Sequence, residues 1–216
     1  YASFVNGGRK ITPNLIDRIQ DRRGKTIFKL ENRRCIGCDK FLNDLKTYPF
    51  IEQKNERVFS EETAYQMTSI LEGAVKRGTG KKLRDLKVPL AGKTGTTNKN
   101  YDAWFIGFSS NLVIGVYVGF DNPKTLGRYE TGSKAALPIF KDFVKNSLYK
   151  EDFKEFKIPE GIYLTSLNYD SGSKSSLGNE NTIIEALKTE DINNINNNKL
   201  ISISSYDKLI RYRQFY

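Results

Sequence analysis

Two apolar runs separated by three polar residues constrain this chain more than any other feature. Ala103-Trp104-Phe105-Ile106-Gly107-Phe108 and Leu112-Val113-Ile114-Gly115-Val116-Tyr117-Val118-Gly119 flank Ser109-Ser110-Asn111. Short runs rich in aromatic and β-branched residues read as strands. So short a connection makes the pair antiparallel, because a parallel pair needs a crossover of about a dozen residues or more. Near-continuous apolarity predicts a sheet covered on both faces. Leu90 to Thr97 reads as a third strand.

Helical periodicity brackets these strands. Over residues 60–77, Ala64, Met67, Ile70, Leu71, Ala74 and Val75 recur at helical spacing. Ser60 is a good N-cap, Glu61 and Glu62 complement the helix dipole, and Gly78 supplies a stop. A second helix is predicted over 132–149 with the stripe Ala136, Ile139, Phe140, Phe143, Val144 and Leu148. Pro138 falls within its first two turns, where proline is better tolerated than in a helix interior. The expected fold is α/β (α+β): a three-layer arrangement of helix, antiparallel sheet and helix.

The flanks are less regular. Leu15 to Ile19 and Lys25 to Phe28 surround Asp21-Arg22-Arg23-Gly24, a hairpin signal, so residues 11–29 are expected to add an outer strand pair. Residues 31–57 read as an inserted loop carrying Cys35 and Cys38. Ile158 to Leu164 reads as one more strand, closing a portion that spans 1–165. Residues 166–216 are polar, include Asn193 to Lys199, and are expected to form a disordered tail. Tyr1 to Gly8 looks like the last turn of a helix with a glycine stop. The chain opens there on Tyr1, so a cut inside a domain is expected.

Composition excludes several chemistries. The 216 residues contain no histidine and two cysteines. A tetrahedral zinc site needs about four Cys or His ligands, so this chain cannot build one unaided, and Ser-His-Asp and Cys-His catalysis are also removed. Cys35-Ile36-Gly37-Cys38 lies in a loop-like stretch rather than after a strand, which favours a local disulfide or two free thiols over a redox motif. The net charge of +10 suits an anionic polymer as partner, or simply solubility. The basic residues are scattered and no nucleic-acid-binding motif is present. No apolar run reaches the roughly 18 residues of a membrane span.

The chemistry-bearing segment is Lys93-Thr94-Gly95-Thr96-Thr97. On a strand, Lys93 and Gly95 occupy one face and Thr94 and Thr96 the other. Sheet twist at an edge is expected to aim them toward one cleft. Lys93 supplies charge, the threonines supply hydroxyls, and Gly95 lets a ligand backbone lie close. Such a set suits a peptide carboxylate and leaves main-chain N–H groups for an oxyanion. Gly92-Lys93-Thr94 also matches the end of a phosphate-binding loop. That motif wants glycine where Lys87 stands, tolerates Pro89 badly, and should run into a helix. Trp104 reads as core rather than cleft.

Several segments in order resemble the transpeptidase domain of class A penicillin-binding proteins. They are Tyr1 to Gly8 followed by Ile11-Thr12-Pro13, then Thr63 to Val75, Arg77-Gly78-Thr79-Gly80, Leu90 to Asn98, Asp102 to Phe108, Tyr117 to Asp121 and Leu126-Gly127-Arg128. The resemblance covers about residues 1 to 165. That family uses S-x-x-K, S-x-N and K-[ST]-G motifs, and Lys93 to Gly95 matches the third. The resemblance implies a serine-acyl DD-transpeptidase acting on D-Ala-D-Ala stem peptides, inhibited by β-lactams, and needing no cofactor or metal. By resemblance, Lys93 and Thr96 are catalytic, through a proton-relay network and the oxyanion N–H. Thr94, Gly95, Thr96 and Thr97 bind substrate. The resemblance further implies a bifunctional glycosyltransferase/transpeptidase working on lipid II-derived glycan strands. Such a parent is held at the bacterial inner membrane by an N-terminal anchor, with its catalytic domain in the periplasm. That compartment permits a Cys35–Cys38 disulfide.

The first two motifs precede K-T-G in the family, so the nucleophile is expected outside this chain. Ser147 to Lys150, Ser171 to Lys174 and Ser205 to Lys208 match S-x-x-K, but a chain this rich in Ser and Lys gives about two such matches by chance. Ser109-Ser110-Asn111 matches S-x-N but reads as a turn. A D-alanyl-D-alanine carboxypeptidase or β-lactamase fits the segment around Thr97-Asn98 and Asp102 less well. A non-catalytic binding or regulatory module of the same fold is the remaining alternative.

Overall fold

The predicted strands meet as a three-stranded antiparallel sheet in the computed structural model, which describes residues 1–30, 35–36, 50–51, 55–149, 153–179, 181–192 and 200–201. Its strands are β5 (Ala91–Thr96), β6 (Ala103–Phe108) and β7 (Val113–Val118), in the order β5-β6-β7. Ser109 N–H donates to the Leu112 carbonyl at 2.9 Å and closes the β6–β7 turn. Register sets the faces. Lys93 lies opposite Ile106 and Gly95 opposite Trp104, while Thr94 lies opposite Phe105 and Thr96 opposite Ala103.

Two helices cover the two faces. α3 (Leu137–Ser147) buries Leu137, Phe140 and Val144, and Phe140 meets Phe105 edge-on with ring centroids 4.9 Å apart. α2 (Glu61–Lys76) begins at Ser60, whose hydroxyl accepts from the Thr63 N–H. Its Tyr65 and Leu71 cluster with Ala91 and Phe108 on the opposite sheet face. Fully burying one such large apolar side chain stabilises by about 1.5–3 kcal/mol, so the aromatic residues of β6 bind both layers. The expected helix–sheet–helix arrangement is therefore present.

Details depart from the periodicity. In α2 the buried positions include Ala64, Tyr65, Thr68, Ser69, Leu71, Glu72, Gly73 and Val75, whereas Ile70 is exposed. The helix packs against both β5 and β9 (Thr182–Lys188), so small polar residues are enclosed along with the apolar ones. Ile139 and Phe143 of α3 are likewise exposed. The sheet is not covered on both faces throughout. Trp104 remains 40% exposed and Tyr117 49% exposed, with ring centroids 4.7 Å apart. Trp104 is thus a surface residue and not core, because the helical cover on its face reaches Phe108 but not the Trp104 end.

The expected tail contains regular structure. β8 (Ile162–Asn168) pairs antiparallel with β9, and β10 (Leu200–Ile201) pairs with the other edge of β8. Gln66 of α2 donates to the Ala186 carbonyl at 3.1 Å, and Arg77 pairs with Glu185 at 2.9 Å. Residues 202–216 lie outside the described residues.

The chain divides into one unit of Tyr1–Gly8 with Phe59–Tyr216 and another of Arg9–Val58. The first opens with α1 (Ala2–Val5), ended by Gly7 and Gly8 at positive φ. Within the second, β1 (Arg18–Gln20) and β2 (Thr26–Lys29) form the predicted hairpin. Asp21 Oδ1 accepts from the N–H groups of Arg23 and Lys25 and shapes its turn. This pair is a separate two-stranded sheet, not an outer pair of the main one. β3 (Cys35–Ile36) and β4 (Phe50–Ile51) also pair, so the region read as a loop contains strands. Cys35 is disulfide-bonded, and Cys38 lies outside the described residues.

Candidate functional site

β5 is the edge of its sheet among the described residues. Thr97 N–H donates to the Asp102 carbonyl at 3.1 Å. In an antiparallel ladder the direction alternates with every residue. Lys93 and Gly95 therefore turn their N–H groups toward β6, and Thr94 and Thr96 turn theirs toward the open edge. The Thr96 N–H is thereby left unpaired by the β6 ladder and faces outward along the strand edge.

The side chains divide as alternation predicts. Thr94 and Thr96 share the face of Phe105, and Lys93 shares the face of Trp104. Lys93 is exposed, and its Nζ donates to the Thr94 carbonyl at 3.1 Å. The motif therefore grips the edge from both sides, rather than aiming all its side chains from one face.

Each threonine hydroxyl has a different partner. Thr94 Oγ1 lies 2.8 Å from Thr79 Oγ1, and either atom can donate. Thr96 Oγ1 accepts from the Gly132 N–H at 3.0 Å. Thr97 Oγ1 accepts from the Asp102 N–H at 2.8 Å and donates to Asp102 Oδ2 at 3.3 Å. The Thr97 hydroxyl is thus turned into the β5–β6 connection. Asp102 Oδ1 in turn accepts from the Tyr117 hydroxyl at 2.9 Å. This hydrogen bond holds the phenol's pKa above its ordinary value, with desolvation adding to it.

The connection is further pinned from outside. Lys99 and Asn100 both adopt left-handed backbone conformations. Asn100 tolerates that region and Lys99 less so. Asn100 Nδ2 donates to the carbonyls of Gly127 and Arg128, and its own carbonyl accepts from Leu126 N–H. The end of β5 is consequently tied to the segment leading into Gly132. Strand, turn and strand follow Lys93, not the helix that a phosphate-binding loop requires.

Among the described residues, the other serine and lysine matches make no hydrogen bond to this site. Ser171 Oγ bonds to Asn168 and Ser173 in the β8–β9 connection. The nearby Lys174 has its ammonium pKa lowered by desolvation. Lys150, Ser205 and Lys208 lie outside the described residues. Ser109-Ser110-Asn111 is the β6–β7 turn, where Ser109 Oγ donates to Asn111 Oδ1. No group of three or more Cys, Asp or Glu suited to a metal occurs among the described residues.

Thr79, Asp102, Tyr117 and Gly132 escaped the motif reading as contributors to this site. Thr79, Asp102 and Tyr117 lie in the segments that carried the family resemblance. Tyr117 meets Asp102 from β7 and Gly132 meets Thr96 of β5, contacts that local sequence does not reveal.

A family model of the penicillin-binding protein transpeptidase domain matches residues 1–145, and the chain belongs to that family. Relatives named penicillin-binding protein 1A match most of its length. The protein from Rickettsia prowazekii is 42% identical over 203 residues, covering 93% of this chain and 25% of the relative. The protein from Pseudomonas aeruginosa is 33% identical over 221 residues, covering 88% of this chain and 27% of the relative. The crystal structure of penicillin-binding protein 1A from Haemophilus influenzae matches with a TM-score of 0.65 at 30% identity, over 87% of this chain and 30% of that one. The chain thus spans about a quarter of the length of the curated relatives it matches.

Proposed function

We propose that this chain forms the K-T-G wall of a DD-transpeptidase active site in a bifunctional peptidoglycan synthase of the penicillin-binding protein 1A type. The observation that carries the proposal is the open edge of β5, with the Thr96 N–H outward and the Thr94 and Thr96 hydroxyls on one side. A D-Ala-D-Ala stem peptide lies along that edge as an added strand. Gly95 admits its backbone, and Thr94 and Thr96 receive its terminal carboxylate. The Thr96 N–H supports the oxyanion, and Thr97 braces the strand end through Asp102.

The nucleophilic serine and the S-x-N residues come from the part of the parent that this chain does not span. Attack of the serine oxygen on the penultimate carbonyl forms an acyl-enzyme and expels D-alanine, which leaves with the proton. An amine of a neighbouring stem peptide then displaces the serine and forms the cross-link. Lys93, on the opposite side of the edge from the hydroxyls, supplies positive charge and a proton path to this exchange. β-Lactams enter as mimics of the donor peptide and stop at the acyl-enzyme. The parent acts on lipid II-derived glycan strands at the periplasmic face of the inner membrane. No helix among the described residues is long and apolar enough to cross a membrane.

Labelling with a fluorescent penicillin tests the proposal. The parent protein is acylated at one serine, and Lys93→Ala slows acylation by roughly 100- to 10,000-fold, the range of a positioned proton-transfer group. An unchanged rate removes Lys93 from the mechanism. Stoichiometric labelling of residues 1–216 alone refutes an external nucleophile.

A further inference from the structure

We infer that Gly132 is a positioning residue for this site: its main-chain N–H holds the Thr96 hydroxyl oxygen and so directs the hydroxyl hydrogen toward an anionic ligand on β5. The inference rests on the proposed function, in which Thr96 meets a carboxylate.

A threonine hydroxyl has one hydrogen to donate and two lone pairs to accept with. The Gly132 N–H occupies one lone pair at 3.0 Å. The remaining lone pair and the hydrogen are left for other partners. The side chain is exposed, and its β-branch restricts rotation about χ1. The hydroxyl is therefore oriented before any ligand arrives, and a ligand that accepts from it has less rotational freedom to remove.

Residue 132 must be glycine for this contact to exist. A Cβ there would lie 2.3 Å from the Trp104 carbonyl oxygen and 2.5 Å from that of Gly95. Both are main-chain atoms of paired strands, which cannot rotate aside as a side chain can. Gly132 is also fixed from behind. Its carbonyl accepts from Leu137 N–H across the wide π-helical turn Gly132–Ala136, and Leu137 is fully buried beside Phe140. Thr131 holds the same turn by accepting from the N–H groups of Lys134 and Ala135. Inserted π-helical turns of this kind recur at functional sites. Here the turn aims one N–H at one hydroxyl, and the core cluster around Phe105 and Phe140 sets its position.

The test compares acylation of the parent by a penicillin with a free carboxylate and by the methyl ester of the same penicillin. The wild type is expected to favour the carboxylate by roughly 10- to 100-fold, the range of one hydrogen bond to a charged group. Thr96→Val should abolish most of that preference, and Thr96→Ser should keep it. Replacing the Gly132 peptide N–H by an ester oxygen removes the donor without adding atoms. It should lower the preference as far as Thr96→Val does, slow the free-carboxylate penicillin far more than the methyl ester, and add nothing to the Thr96→Val loss. Equal slowing of both penicillins, or a preference that survives the replacement, overturns the inference. A wild type acylated equally by both penicillins overturns it as well. A wild type that no penicillin acylates refutes the functional proposal itself.

Discussion

Replacing Thr165 by valine should make the larger unit more stable. Thr165 lies in the middle of β8, opposite Glu185 of β9 and Leu200 of β10. It is 0% exposed, and its Oγ1 has no hydrogen-bond partner among the described residues. Leaving a buried hydroxyl unpaired costs about 1–3 kcal/mol. Valine keeps the shape, the β-branch and the strand preference, and replaces the hydroxyl with a methyl group. The expected gain is therefore about 1–3 kcal/mol, with a rise in Tm of about 2–4 °C per kcal/mol in a chain of this size. Urea unfolding followed by tryptophan fluorescence reads the effect, because Trp104 is the only tryptophan and lies in the same unit. Thr165→Ala, which lacks both γ-methyl groups of the valine variant, should fall below it by about 1–3 kcal/mol. A lower midpoint for Thr165→Val at unchanged m-value refutes the reasoning and means that the hydroxyl is satisfied.

Two further outcomes follow from the sheet. The Asp102 carboxylate raises the Tyr117 pKa above 10.0 by accepting from its hydroxyl, so the folded state favours the neutral phenol. That contribution is fully present below the unfolded value and is lost as pH rises through the folded one. The phenolate absorbance difference between wild type and Tyr117→Phe should show the raised midpoint, and Asp102→Asn should lower it; an unmoved midpoint refutes the assignment. At Gly107 a Cβ would lie 2.5 Å from Phe140 Cζ and 2.7 Å from Phe105 Cε1. Gly107→Ala should destabilise by about 1–3 kcal/mol through overpacking. Gly115→Ala, with nothing within 4 Å of its Cβ, should not destabilise in the same urea titration.

The central sheet and α2 were legible because turns and caps punctuate them. Ser109-Ser110-Asn111 and Ser60 stand where hairpin and helix begin. Which faces were covered was not legible. The apolar run through Trp104 reads alike whether helices cover both of its faces or only one. β9 was missed because Thr182–Lys188 sits in a polar stretch, and its partner β8 together with α2 supplies the cover that its own sequence does not advertise. At the site, Lys93 to Thr97 was readable as a motif. Its bracing was not, because Gly132 meets Thr96 from 36 residues away through the main chain. A backbone donor leaves no side-chain signature. The local role of Thr97 was equally hidden, since a threonine facing a ligand and one capping a turn are the same letter.

The edge of β5, unpaired among the described residues, carries a second consequence. Exposed strand edges are templates for self-association, and proteins blunt them with charge and with interruptions. Lys93 places an ammonium group beside the edge, Gly92 and Gly95 weaken its strand character, and Pro89 stands just before it with no N–H to offer. The left-handed Lys99 and Asn100 end the pairing surface just beyond Thr96. What remains exposed is a few residues long and carries a charge, both of which disfavour pairing with another copy. The features that, in the proposed function, admit a short extended guest thus also oppose self-association through this edge.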